Sequence, residues 1–249
     1  MKSRITLITG ASRGIGRATA LLLAQQGHTL CINYRRQQAQ ADEVVALIRR
    51  NGGNAIAVAA DIAEEEQVVA MFQRIDRDLG PLTGLVNNAG ILQQQASIEQ
   101  LDAQRIATVF ATNVGGSFIC AREAVKRMAL RHGGQGGAIV NVSSAASRLG
   151  APHEYVDYAA SKGAIDTLTT GLALEVAAQG IRVNAVRPGL IYTDMHADGG
   201  EPGRVDRVKE HLPMKRGGQP EEVAQAIAWL LSDAASYVTG SFIEMAGGK

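Results

Sequence analysis

The chain has 249 residues, 46% of them hydrophobic, enough to bury a full core within one domain. Its 25 basic and 24 acidic residues nearly cancel, so no overall field draws it to nucleic acid or an anionic membrane, and no apolar run approaches the ~20 residues of a membrane span. Cys31 and Cys120, the only cysteines, lie in apolar stretches and fit buried thiols of a cytoplasmic protein rather than a disulfide framework; the first strand starts too close to Met1 to leave room for a signal peptide.

Short strands rich in Val, Ile and Leu alternate along the chain with longer helical stretches, a rhythm that predicts an α/β fold with a doubly wound, seven-stranded parallel sheet. Strands are expected at residues 4–9, 29–34, 54–60, 84–87, 138–143, 182–187 and 241–245, and helices at 15–26, 39–51, 64–79, 101–131, 158–179 and 220–231. The longest helix carries Gly115 and Gly116 in mid-course, which predicts a kink there. Residues 133–137 read as a surface turn, and the whole of 1–249 as a single domain. The one long irregular stretch, 189–219, contains Gly199, Gly200, Pro202 and Gly203 and is expected to be a substrate lid.

Thr9-Gly10-Ala11-Ser12-Arg13-Gly14-Ile15-Gly16 falls at the junction of the first strand and first helix, where a dinucleotide's pyrophosphate meets a helix N-terminus. Gly10 permits the tight turn, Gly14 lets backbone approach the phosphates, and Gly16 allows helix to pack on strand. The second strand ends in Asn33-Tyr34-Arg35-Arg36 with no acid before Asp42, so no carboxylate is at hand for a ribose 2′-hydroxyl. Arg35 and Arg13 could instead clamp a 2′-phosphate, favouring NADP over NAD; the alternative is that both are solvated surface charges. Tyr158 and Lys162 stand one helical turn apart on one face, so the ammonium is expected to stabilise the phenolate of a proton-transferring tyrosine. His196, Asp198, Glu201 and His211 are too irregularly spaced for a metal site, and none is expected.

With Asn87-Asn88-Ala89-Gly90 after the fourth strand and Pro188-Gly189 after the sixth, the sequence resembles the short-chain dehydrogenase/reductase family over essentially its whole length, near its 3-oxoacyl-ACP reductase-like and glucose dehydrogenase-like members. That resemblance implies a Rossmann-type domain and an NADP(H)-dependent oxidoreductase acting on a small carbonyl or secondary alcohol. Tyr158 would exchange the proton, Lys162 would hold the nicotinamide ribose, Ser144 would bind the carbonyl oxygen, and Asn113 would anchor a relay water. Asp61 and Ile62 would hold the adenine, Asn88, Ala89 and Gly90 the adenosine ribose side, and Ile191 and Thr193 the carboxamide. Asp61 and Thr193 could also serve as helix caps. Many relatives carry the serine thirteen residues before the tyrosine, where this chain has Ala145; Ser144 is chosen and Ser143 is the alternative. Tyr155 is expected to pack or face the substrate.

The substrate reads as a sugar or polyol, or as a 3-oxoacyl group. Gln179, where an acyl-carrier partner would meet a basic residue, weakens the acyl reading, and Arg127, Arg131 and His132 could supply a basic patch. The resemblance also implies a homotetramer joined through the two longest helices, with Ala173, Ala177 and Ala178 allowing close approach. A non-catalytic dinucleotide sensor or scaffold is the alternative from another functional class, disfavoured because all four catalytic positions are filled.

Overall fold

The computed structural model describes residues 4–249. Its strands are β1 (Ile5–Ile8), β2 (Thr29–Tyr34), β3 (Asn54–Ala59), β4 (Gly84–Asn87), β5 (Gly137–Val142), β6 (Ile181–Pro188) and β7 (Phe242–Met245). They form one sheet in the order β3-β2-β1-β4-β5-β6-β7, every pair parallel. The order reverses between β1 and β4, so their connections leave in opposite directions and open a crevice at the carboxyl ends of the strands.

Strand periodicity separates two cores. Leu7, Cys31, Leu85 and Ile139 point to one face, while Ile8, Ile32, Val86 and Val140, each one residue on, point to the other. The first face is covered by α3 (Glu65–Asp78), α5 (Ser117–Met128) and α7 (Val156–Val176), whose Met71, Phe72, Cys120, Met128 and Val176 are buried against it. The second is covered by α1 (Gly14–Gln25), α2 (Gln38–Arg50) and α10 (Pro220–Leu231) through Leu23, Val44, Ile48, Val223 and Ile227. Because helices cover both faces, β1 and β4 are buried at every residue and show no polar alternation.

Two expected stretches are more finely divided, and one element is new. The stretch 101–131 is α4 (Ala103–Phe110), then a π-helical turn (Ala111–Gly116), then α5, with a 3₁₀ turn at Leu130–His132. The two glycines, where a kink was expected, sit in this widened turn with helical dihedrals at both ends. The stretch 189–219 is not structureless: it holds α8 (Met195–Asp198), α9 (Arg204–Val208) and a 3₁₀ turn (Lys209–His211), and Ile191 bridges Gly218. A further short helix, α6 (Ala146–Leu149), was not foreseen. Among the described residues no helix is long and apolar enough to cross a membrane.

Candidate active site

The glycine-rich turn leaves β1 and is held from two neighbouring strands. Thr9 Oγ1 accepts from the amides of Asn88 and Ala89 at 3.0 Å each, and Asn88 Nδ2 donates to the carbonyls of Thr9 (2.9 Å) and Gly10 (3.1 Å). From β2, Asn33 accepts the Gly10 amide on its side chain (3.2 Å) and the Ala11 amide on its carbonyl (2.9 Å), while its Nδ2 reaches Ala60 O at 3.0 Å. Asn33 is 2% exposed and its part in the turn went unforeseen, since an Asn at a strand end carries no such signal in one sequence. Gly10 and Gly14 have φ of +61° and +55°. A Cβ on Gly10 would lie 2.9 Å from Ala89 Cα, and one on Gly16 2.6 Å from Asn88 Nδ2, so both sites exclude side chains. No side chain caps α1, and its first amides face the cleft as anion donors.

That cleft has a volume of about 490 Å³ and gathers most of the residues expected to hold a dinucleotide: Gly10, Ser12, Arg13, Gly14, Ile15, Tyr34, Arg35, Asp61, Ile62, Asn88, Ala89, Gly90 and Thr193. Gly16 lies behind it as a packing residue. The residues present fit an extended, phosphate-bearing ligand, because a narrow glycine turn and an uncapped helix end meet a wall of three arginines, Arg13, Arg35 and Arg36. The two arginines read as a clamp or as solvated charges are partly exposed and each lies near carboxylates of the cleft. Arg13 contacts Asp198 and lies 3.7 Å from Asp194, and Arg35 lies 3.5 Å from Asp61. Asp61 also accepts the Ala63 amide at 3.1 Å, two residues short of the start of α3, so it closes a turn without capping that helix.

A second cavity, about 190 Å³, abuts the first; Ile15, Asn88, Leu92, Thr193 and Met195 line both. Ser143, Ser144, Tyr158, Lys162, Pro188, Gly189 and Ile191 surround it. Tyr158 sits in the first turn of α7, where Asp157 Oδ1 accepts its amide at 2.9 Å. Asp157, with a side chain 2% exposed, is paired with Arg105 Nε at 2.7 Å, and Arg105 also donates to Gln94 O at 2.6 Å. The start of α7 is thus tied to α4 and to the loop after β4.

Lys162 Nζ donates to Val142 O at 2.7 Å and stands 5.5 Å from the centroid of the Tyr158 ring. Burial lowers the Lys162 ammonium to about 8, with Asp166 opposing. Burial likewise pushes the Tyr158 phenol up to about 12, while the adjacent Ser144 hydroxyl pulls the other way. The Lys162 ammonium thus faces the Tyr158 ring and a backbone carbonyl, one helical turn from the phenol-bearing residue.

The two candidate serines differ in what they touch. Ser143 Oγ is committed to Asp166 (2.6 Å) and Lys162 O (3.2 Å). Ser144 Oγ accepts from the Ala146 amide at 3.1 Å, makes only a long contact to Pro188 O (3.4 Å), and lies beside the phenol. Asn113, 1% exposed, occupies the π-helical turn and bridges the Ile91 amide (2.8 Å), Ile91 O (3.1 Å) and Ser161 Oγ (3.1 Å). Its own carbonyl accepts from Ser117 Oγ at 2.9 Å. Asn113 Oδ1 and Lys162 Nζ each lie 3.5 Å from where a Gly90 Cβ would stand, so the two flank that glycine. Tyr155, 4% exposed, lines the cavity and donates to Gly199 O at 3.1 Å, and Arg204, paired with Glu154, stacks 5.3 Å from its ring. Arg204, Leu149 and Met195 were missed: Arg204 pairs with Glu154 far away in the sequence, and two apolar side chains in four-residue helices carry no spacing to read. Among the described residues no group of three or more His, Cys, Asp or Glu side chains gathers as a metal site.

Comparison with known proteins agrees with this architecture. The family model described as Enoyl-(Acyl carrier protein) reductase matches residues 10–249. An uncharacterized oxidoreductase of Escherichia coli, YgfF, is 71% identical over 245 residues, 98% of this chain and 99% of that protein. Glucose 1-dehydrogenase 2 of Bacillus subtilis is 36% identical over 248 residues, covering 100% and 95%. A solved dehydrogenase/reductase from Sinorhizobium meliloti superposes with a TM-score of 0.91 at 31% identity, covering 100% of this chain and 95% of that one. A glycine turn at a sheet reversal, adjoining a pocket with a buried Tyr-Lys pair, together with this similarity along the chain, makes the protein a short-chain dehydrogenase/reductase, an oxidoreductase.

Proposed function

We propose that the protein is an NADP(H)-dependent oxidoreductase interconverting a carbonyl and a secondary alcohol, with Tyr158 as the acid/base and 189–219 as the lid of a single domain. The observation that carries this is the junction of the two cavities: the glycine-turn cleft and the pocket holding Ser144, Tyr158 and Lys162 share a wall at Ile15, Asn88 and Thr193. A dinucleotide would lie along the α1 N-terminus, with Tyr34, Arg35, Asp61 and Ile62 at its adenosine end and Lys162, Pro188, Gly189, Ile191 and Thr193 at the other. When bound it supplies or accepts the hydride.

The remaining chemistry belongs to the chain. Tyr158, held protonated by burial, donates its hydroxyl proton to the substrate oxygen as negative charge develops there, and Ser144 Oγ gives a second hydrogen bond to that oxygen. In the oxidising direction the same phenol oxygen, as phenolate, takes the proton from the alcohol. Lys162, fixed to Val142 O, holds positive charge beside the ring, and Asn113 keeps the loop at Ile91 in place across Gly90 and anchors the route by which Tyr158 regains a proton.

The pocket walls favour a carbonyl with apolar substituents over a sugar. Leu92, Leu149, Leu190, Met195, Val208 and Leu212 line it, and of the lid's polar groups Thr193, His196 and Arg204 reach it, whereas Asp198 turns to Arg13 and Glu201 to Arg207. Arg127 is occupied by Asp76 and Glu123, which argues against a basic patch for an acidic carrier. A homotetramer is supported by exposed Phe118 (49%) on α5 and Leu174 (80%) on α7, whereas Ala173 packs into the core.

The test is NADPH oxidation with a panel of ketones, 3-oxo esters and aldoses. Turnover of carbonyls with apolar substituents is expected; activity on glucose alone would overturn the substrate assignment, and no oxidation with any carbonyl would overturn the reaction. Arg35→Asp should move the NADPH-to-NADH efficiency ratio toward NADH, and an unchanged ratio would refute Arg35 as the 2′-phosphate ligand.

A further inference from the structure

We infer that Asp194 and Asp198, at the start and end of the short lid helix, are cofactor-specificity residues: their carboxylates compete with the 2′-phosphate of NADP for Arg13. The inference rests on the proposed dinucleotide site. Arg13 extends from the glycine turn along the cleft and contacts Asp198, with Asp194 3.7 Å from its other amino group. All three side chains line the cleft, and the same cleft repeats the pattern with Arg35 and Asp61 3.5 Å apart. The wall that would receive a phosphate thus carries three arginines and three aspartates, with Arg36 alone outside these pairs. It is nearly neutral, which the run of arginines in the sequence conceals.

The partners are half-exposed, with side-chain exposures of 39% for Arg13, 64% for Asp194 and 49% for Asp198, so the pairs are weak and exchangeable. A phosphate monoester, with a charge of about −1.5 to −2 and three acceptor oxygens, outcompetes one carboxylate for a guanidinium. Displacement leaves the two carboxylates without their guanidinium, a cost that falls on the phosphate-bearing dinucleotide alone. A dinucleotide with a 2′-hydroxyl makes no such demand on Arg13. The lid carboxylates therefore penalise NADP(H) and spare NAD(H), moderating a preference that the arginines would otherwise make strict. They also tie lid to turn, so a ligand that takes Arg13 loosens α8.

The experiment is direct titration of NADPH and NADH by nucleotide fluorescence, without substrate, on wild type, Asp198→Asn, Asp194→Asn, Arg13→Ala and Arg13→Ala/Asp198→Asn. Asp198→Asn should tighten NADPH about fivefold, the worth of one exposed ion pair, and change NADH less than about twofold. Asp194→Asn should act in the same direction and more weakly, and the Arg13→Ala background should abolish the Asp198 effect. Equal tightening of both nucleotides, no tightening, or an effect that survives loss of Arg13 would each overturn the inference. The NADP reading is decided separately by the Arg35→Asp ratio, so a failure of either is distinguishable from a failure of the other.

Discussion

A buried phenol and a buried ammonium one helical turn apart act on each other less than burial acts on both. Tyr158 is pushed to about 12 and Lys162 down to about 8, each chiefly by desolvation, so the neutral phenol is the form the folded protein stabilises. Tyr158→Phe removes the exchangeable proton but keeps the ring's packing; turnover should fall by about 10³-fold or more while NADPH affinity measured by fluorescence stays within about twofold. The same two residues shape stability at alkaline pH. Between about 8 and its ordinary 10.5, Lys162 is neutral in the folded protein and charged in the unfolded chain, so the unfolded state binds more protons and stability rises with pH across that window. Between 10 and about 12 Tyr158 acts oppositely: the folded state holds the extra proton and stability falls as pH rises. The buried Cys31 and Cys120 thiols, pushed up by burial from their ordinary 9.0, likewise oppose the Lys162 gain above about pH 9. The check is therefore the difference between proteins: the wild-type urea midpoint should gain on that of Lys162→Met from pH 8 to 10, and an unchanged difference would contradict the desolvated ammonium.

At the scale of elements, α7 delivers Tyr158, and its first turn is fixed by the Arg105–Asp157 pair rather than by a side-chain cap. Asp157→Ala leaves Arg105, whose side chain is 15% exposed, with an uncompensated charge, which should cost about 3–5 kcal/mol and lower kcat through a loosened Tyr158. Thermal unfolding and steady-state rates check both, and a variant of wild-type Tm would refute the pair's structural importance. The strands were readable because two-sided burial leaves continuous apolar runs such as Ile5–Ile8, and the glycine turn because φ near +60° at Gly10 and Gly14 demands glycine at fixed offsets. The π-helical turn at Ala111–Gly116 was not, since it is set by what Asn113 must reach at Ile91 and Ser161, contacts distant in the sequence. The lid helices α8 and α9 are four and five residues long, too short to show a period, and their ion pairs to Arg13 and Glu154 join segments 50 or more residues apart. That is why the pairing of Arg13 with the carboxylates of α8 was not foreseen. Choosing Ser144 over Ser143 depended on an assumed one-residue insertion, and the hydrogen bonds of Ser143 to Asp166 and Lys162 supply the physical difference that spacing lacked.

For the whole molecule, one sheet with a reversal between β1 and β4 accounts for where both cavities lie, at the carboxyl ends of the strands. The near-balance of 25 basic and 24 acidic residues leaves association to apolar surface, and Phe118 and Leu174 present it on neighbouring helices. Light scattering should give four times the monomer mass, with Leu174→Glu shifting the protein to smaller species; a wild-type monomer would refute the assembly. The proposed reaction is tested most directly by NADPH oxidation with saturating ketone, wild type beside Tyr158→Phe. The account predicts steady oxidation by wild type and none above background in the variant that still binds NADPH. A variant that turns over at a near-normal rate would contradict it.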